Sequence, residues 1–215
     1  MHSMLTDDAN LVQIDANLVQ IVETALASAV ERSGPHLVCR PGCTQCCNGV
    51  FPISQQDSAR LREGLELLER SDGQRAARIR TRVAESLTRL DALFPGDLAT
   101  GMLGEGYEDS PLFADESEDA IGEEEPCPVL DPSTGTCDLY LYRPIVCRTF
   151  GPPMRTPDGD LATCELCYIT ASTEEIAACE LDPSLPAKEA ASTDAFNAAR
   201  GVHGETLIAY ALRDA

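Results

Sequence analysis

Apolar residues at steps of three and four mark three helices ahead of Pro95. Leu11, Ile14, Leu18, Ile21 and Ala25 draw one seam, which fades at Ser28 and stops at Gly34-Pro35. The heptapeptide DANLVQI stands twice within it, at 8–14 and 15–21. Two strong heptads fall short of the run a coiled coil requires, so the seam predicts a helix docked on its own chain. A coiled-coil contact to a partner protein is the alternative. A second helix begins at Ser54, whose side chain can cap it, with Asp57 three residues on. Leu61, Leu65 and Leu68 mark its face and Ser71-Asp72-Gly73 ends it. Ala76, Ile79, Val83, Leu87, Leu90 and Phe94 carry the third helix up to Pro95-Gly96. Together the second and third predict an antiparallel helical hairpin.

Beyond Pro95 the pattern changes. Between Asp91 and Tyr142 there are fourteen carboxylates and no Lys, Arg or His. Residues 97–125 have no period and predict a mobile acidic loop, or a flap that binds a partner or attracts cations. The stretch CPVLDPSTGTCDLY sets two short apolar runs around Asp131-Pro132-Ser133-Thr134-Gly135 and predicts a small β-hairpin. Ser172 with Glu175 predicts a capped helix near 173–180, and the Ala-rich tail after Pro186 is helical, interrupted at Gly201 and Gly204.

Charge narrows the partners. The 215-residue chain holds 36 acidic and 16 basic residues, a formal net charge of -20. Such a surface repels nucleic acid and anionic membranes. No basic-then-apolar leader opens the chain, and no run approaches the roughly 18 apolar residues of a membrane span. The expected compartment is the cytoplasm, where thiols stay reduced. The ten cysteines then call for metal binding or redox catalysis rather than disulfides.

Nine of those ten fall into two groups. Cys39, Cys43, Cys46 and Cys47 are spaced C-x3-C-x2-C-C. Cys127, Cys137 and Cys147 are followed by Cys164 and Cys167 as C-x2-C. Cys43 lies one helical turn from both Cys46 and Cys47, and Cys127 and Cys137 stand on the two arms of the predicted hairpin. Thiolates packed this closely repel one another unless a cation compensates them. The layout is that of a fold closed by metal, with ligands from distant segments. Cys179 stands apart and reads as a small buried hydrophobe.

The chain resembles the bacterial YkgJ-like cysteine-cluster family of zinc- or iron-chelating domains, sometimes labelled Fe–S oxidoreductase. Cys39, Cys43, Cys46 and Cys47 match its opening C-x3-C-x2-C-C. CPVLD from Cys127 matches its C-P-[FL]-L-D, with Val129 as a departure. CDLYLYRPIVCRTFG, Cys137 to Gly151, matches its C-x-[IL]-Y-x-x-R-P-x-x-C-R-x-F, and Cys164 matches a later cysteine. The match runs over about 36–170 and leaves the N-terminal heptads and the tail outside it. The resemblance implies a metal-chelating domain and no particular reaction.

The predicted fold class is mainly α with a small β-hairpin. An N-terminal helix, 1–34, precedes a single metal-organised domain, 36–170, with the acidic loop 97–125 inserted, and a C-terminal helical tail, 171–215. Arg40, Arg143 and Arg148 stand beside the cysteines, where guanidinium donors would stabilise a negative thiolate centre. Alternatively, Arg143 and Arg148 pair with Asp131 or Asp138. Tyr140 and Phe150 are candidates to cover the site from water. Zinc and an iron–sulfur cluster both accept all-cysteine sites, one or two of them, and the balance leans to a [4Fe–4S] cluster. The leading function is cofactor binding for electron transfer or accessory redox work. A structural zinc module contacting a protein partner through the N-terminal helix or acidic loop is the alternative. A further alternative is catalysis at an open iron, because Cys39, Cys43 and Cys46 also match the radical S-adenosylmethionine spacing. That reading needs alternating strands and helices. A thiol redox pair at Cys164 and Cys167 needs a βαβ setting, which the pattern lacks. No hydrolase or kinase set is present, and catalysis stays an open question.

Overall fold

Helix dominates the fold, as the three- and four-residue spacing predicts. The computed structural model describes residues 2–113, 122, 124–156 and 158–214, with side chains from residue 11 onward. In chain order these form α1 (His2–Ser33), β1 (Ile53–Ser54), α2 (Gln55–Ser71), α3 (Gly73–Leu90), β2 (Gly96–Asp97) and β3 (Met102–Leu103). There follow β4 (Leu130–Asp131), β5 (Thr136–Cys137), α4 (Ile145–Thr149), β6 (Met154–Arg155) and β7 (Leu161–Ala162). The last elements are α5 (Thr173–Ala178), α6 (Leu185–Arg200), β8 (Glu205–Thr206) and α7 (Ile208–Ala211). Among the described residues every sheet is a two-stranded antiparallel pair. The strand–helix alternation that catalysis at an open iron would require is therefore absent there. Among the same residues no helix is long and apolar enough to cross a membrane.

The chain packs as two compact units. One joins residues 1–40 to 145–201; the other joins 41–144 to 202–215. This grouping follows three-dimensional packing and cuts across the linear stretches 1–34, 36–170 and 171–215.

The unit of residues 41–144 and 202–215 is built on the α2–α3 hairpin. The Ser54 side chain accepts from the Asp57 N–H at 3.1 Å and starts α2. Asp72 alone joins the helices: its N–H closes α2 on Leu68 O, and its side chain accepts from the Arg75 N–H to open α3. Leu61, Leu65, Ala76, Ile79 and Val83 face one core, joined by Val129 and Leu139 from either side of the β4–β5 hairpin. The tail supplies the rest. β8 pairs with β1, Ile53 opposite Thr206, and Ile208, Ala211 and Leu212 fill the same core. The sequence reading gave this tail a helix and no role in the core.

The predicted mobile loop at 97–125 is largely structured where it is described. β2 and β3 pair, a 3-10 turn follows at Tyr107–Asp109, and the Tyr107 hydroxyl donates to Glu205 at 2.7 Å. Leu103, Leu112 and Phe113 pack with Leu90, Phe94 and Tyr210. Apolar anchors spaced through the acidic run give it burial that its charge alone does not suggest. The remainder of this loop, 114–121 and 123, lies outside the described residues.

In the unit of residues 1–40 and 145–201, α1 lays Leu18, Val22 and Ala29 against Ile145, Leu181 and Leu185. The predicted seam drifts here. Ile21 is 41 % exposed, whereas Val22 is fully buried. A true 3.6-residue period carries the buried face from Leu18 through Val22 to Ala29 and Ser33, past the predicted fading at Ser28. α5 opens with the predicted reciprocal capping box between Ser172 and Glu175. α6 ends at Gly201, in the left-handed conformation at φ 63.

Gly64 lies on the face of α2 where a methyl group would run into the Tyr142 ring. Alanine at an exposed helix position gains about 1 kcal/mol over glycine. Gly64→Ala should do the opposite and lose about 1–3 kcal/mol through overpacking, read by urea unfolding of the full chain.

Candidate metal centre

The C-x3-C-x2-C-C segment is shaped by turns. Gly42 takes φ 90, and Gly135 at the hairpin turn approaches it so closely that a methyl there would stand 3.3 Å from the Gly42 Cα. A single 3-10 turn spans Gln45–Cys47, closed by the Cys47 N–H on Thr44 O at 2.8 Å. Asn48 then bridges Pro126, and the Cys127 N–H donates to Cys47 O at 2.8 Å. Backbone hydrogen bonds thus join two stretches some eighty residues apart, each at a cysteine. Cys137 sits on β5 opposite Leu130, and both Cys127 and Cys137 pack against the α2–α3 core.

These four thiols sense one another electrostatically. The Cys47 thiol hydrogen-bonds the Cys46 sulfur and lowers Cys46 to about 6, with the Arg143 guanidinium adding to the effect. The same bond pushes Cys47 up, as do burial and the charges of Cys46, Cys127 and Cys137. Burial pushes Cys127 up to about 12 and raises Cys137 as well, against the pull of Arg143 on the latter. The cluster therefore favours one thiolate at Cys46 beside three protonated neighbours. A divalent cation would change that balance by attracting all four as thiolates.

A buried carboxylate holds this hairpin in place. Asp138, next to Cys137, accepts from Arg75 Nε and Arg82 Nη2, each at 2.5 Å. Arg82 Nε also donates to Pro128 O at 2.8 Å, next to Cys127. One guanidinium on α3 thus grips both hairpin arms, a residue further from the sulfur in each case. Asp138 is taken up by α3, and Asp131 accepts from Ser133 of its own turn. Arg143 lies over the Tyr140 ring at 3.9 Å and donates to Tyr140 O at 3.0 Å. Arg148 is ion-paired with Glu23 on α1, and Arg40 is exposed. Glu125, two residues before Cys127, is buried between Ser86 and Arg89.

The remaining cysteines divide differently from their order in the sequence. Cys43 is half-buried next to the hairpin turn, in the same unit as the four coupled thiols. Cys39, Cys147, Cys164, Cys167 and Cys179 belong to the other unit, Cys147 on α4. There Cys164, Cys167 and Cys179 pack together with Tyr168. Cys179 is buried, as expected of a small hydrophobe, and its neighbours in that cluster include two cysteines of the second group. Tyr140 and Phe150, expected to shield the site, are 59 % and 46 % exposed. The Arg75–Asp138–Arg82 clamp was also missed, although the alternation of Arg along α3 was its signal.

All ten cysteines are free thiols. Among the described residues no three Cys, His, Asp or Glu side chains are drawn together tightly enough to hold a metal ion. In kind, the donor set fits a soft or borderline cation: four thiols, one already prone to ionise, with a guanidinium at hand. In spacing, Cys46 and Cys47 are paired, while the four sulfurs together are not drawn in around one point.

The thiolate at Cys46 carries a prediction. In metal-free chain, iodoacetamide should modify Cys46 well ahead of Cys127 at pH 7. Because the pKa is depressed, the thiolate persists down to about 6 and is lost below it. Mass spectrometry of timed digests across pH 5–8 reads this. Equal rates at Cys46 and Cys127 would contradict the coupling.

No curated protein and no solved structure matches the chain. Residues 38–168 match the family titled "CxxCxxCC: Putative zinc- or iron-chelating domain". The matched region covers more than half of the sequence and takes in both groups of cysteines, so the chain belongs to this zinc- or iron-chelating family.

Proposed function

We propose that the chain is a thiolate metal-binding protein whose principal site is Cys46, Cys47, Cys127 and Cys137, holding one zinc ion. The observation that carries this reading is the backbone hydrogen bond from the Cys127 N–H to Cys47 O at 2.8 Å, which sets the Cys46–Cys47 pair beside the hairpin, together with the charge coupling of both thiols to Cys127 and Cys137. In a tetrahedral four-thiolate zinc site, bonds of about 2.3 Å bring sulfurs to roughly 3.8 Å from one another. Neighbouring sulfurs already in hydrogen-bonding reach suit a single ion. The corners of an iron–sulfur cluster would hold their ligands further apart, which weighs against the leaning drawn from sequence alone.

In this reading Arg143 offsets the negative charge of the thiolates, and the Arg82–Asp138 clamp fixes the spacing of the two hairpin ligands. Zinc has no redox chemistry of its own and would close the 46–47 segment onto the hairpin. The work of the domain is then structural, presenting a metal-stapled surface to other molecules.

Anaerobic purification followed by zinc, iron and acid-labile sulfide analysis tests this. The expected result is colourless protein with stoichiometric zinc, one equivalent of it lost in Cys46→Ser and in Cys127→Ser. Chelation should lower the unfolding midpoint, because an ion at a thousandfold excess over its dissociation constant contributes about 4 kcal/mol. Brown protein with acid-labile sulfide would overturn the single-ion reading in favour of a cluster.

A further inference from the structure

We infer that α1 is also an interface for a second copy of this chain, the two α1 helices meeting side by side across the flank that carries Ile14, Ile21 and Ala25. This contact uses none of the cysteines and does not depend on the metal reading above.

The tandem heptapeptide serves two faces of α1. Its first copy supplies Leu11 and Ile14, and its second supplies Leu18 and Ile21. Leu11 and Leu18 are buried in the chain's own packing. Ile14 and Ile21, three residues on in each copy, are left on the flank, Ile14 half-buried and Ile21 exposed. A groove of about 590 Å³ runs along that flank, lined by Asn17, Gln20, Ile21, Thr24, Ala25 and Ser28, with Asp182 on its far wall. The α1 positions follow one rule. Asn17, Gln20, Ile21 and Thr24 stand at i, i+3, i+4 and i+7, and so do Ile21, Thr24, Ala25 and Ser28. Four residues so related form the hole that receives a side chain of the facing helix in a coiled coil. Two such holes follow one another here, and the short side chains of Thr24, Ala25 and Ser28 leave them open.

Charge identifies the occupant. The chain carries a formal net charge of -20, so two copies repel one another over most of their surface. This flank is exempt. Residues 16–30 hold one charged side chain, Glu23, which does not line the groove and is ion-paired with Arg148. Asp182 on the far wall is matched by Lys188 Nζ at 3.0 Å and accepts from the Ser184 hydroxyl at 2.6 Å. A basic partner therefore finds no unmatched charge here to hold it, and an acidic copy of the same chain finds none to repel it. The groove suits an uncharged helical face that offers one large apolar side chain every two turns. α1 itself offers that face, with Ile14 and Ile21 seven residues apart. The flank is thus self-complementary, as a two-fold pair of identical chains requires. With the axis near Ile21, the Ile21 of each copy enters a hole of the other. The holes span about three turns of helix, some ~16 Å. A contact of that length belongs with small, transient interfaces, so the pair forms as concentration rises.

Sedimentation velocity of the full chain from micromolar to millimolar concentration tests this, with a reductant present so that the free cysteines cannot link copies. Wild type should pass from monomer to dimer across that range. Ile21→Glu sets two carboxylates against each other and should weaken the association about tenfold or more. Thr24→Glu should do the same from the next position along the groove. Val12→Glu is the control for added charge alone. Val12 is 60 % exposed but stands about two and a half turns from Ile21, on the opposite side of α1, and this variant should associate far more like wild type. Ile21 and Thr24 are both exposed, so both variants should keep the helix content of wild type by circular dichroism. Should Ile21→Glu fail to fold, Thr24→Glu decides alone. Wild type that stays monomeric at every concentration overturns the inference. So does a dimer that the groove variants leave intact, or one that Val12→Glu disrupts as strongly as they do.

Discussion

Asp138 is the carboxylate on which the thiol hairpin depends. Its side chain is almost wholly buried, and two guanidinium groups from α3 meet it at 2.5 Å each. A buried charge left alone costs several kcal/mol, so neither the hairpin nor α3 can move away without exposing or orphaning it. Through Arg82 the same contact reaches Pro128, and the spacing of Cys127 and Cys137 is set by a helix that carries no cysteine. The helical hairpin is therefore a jig for the sulfurs as well as a core.

The sulfurs impose the opposite demand. Brought together as thiolates they repel, and brought together as thiols they bury weak polar groups with little to bond. The metal-free arrangement compromises: a single proton-sharing pair at Cys46 and Cys47, with Cys127 and Cys137 kept protonated by burial. Membership in a zinc- or iron-chelating family and this unresolved charge balance describe one circumstance from two sides. The scaffold is rigid where it need not respond and undecided where the cation would act.

Much of this was legible from residue order. The α2 and α3 seams, the Ser54 and Ser172 caps and the hairpin around Asp131–Gly135 follow local rules, and local rules suffice where helices are amphipathic and turns use Pro, Gly and Asp. The meeting of the 46–47 segment with Cys127 was legible only in outline, because thiol spacing announces a shared ligand without saying which sulfurs share it. Ile21 misled because a heptad count runs slightly faster than a helix turns. The stretch from Thr206 to Leu212 was illegible for another reason: it gains its meaning from residues far away in the sequence. Tyr140 and Phe150 keep much of their surface exposed, Tyr140 with the Arg143 guanidinium over its ring.

The pairing of β8 with β1 also bears on how the protein is made. Ile53 waits for Thr206, and the core around Leu61 and Leu65 waits for Ile208, Ala211 and Leu212. Such long-range closure is slow compared with helix formation. On the ribosome, Cys46, Cys47, Cys127 and Cys137 would all emerge before the segment that completes their scaffold. Through that interval the nascent chain presents its thiols on an unfinished fold, open to any metal ion or oxidant in reach. Only when residues 206–212 have left the ribosome and joined the core is the scaffold around these four thiols complete.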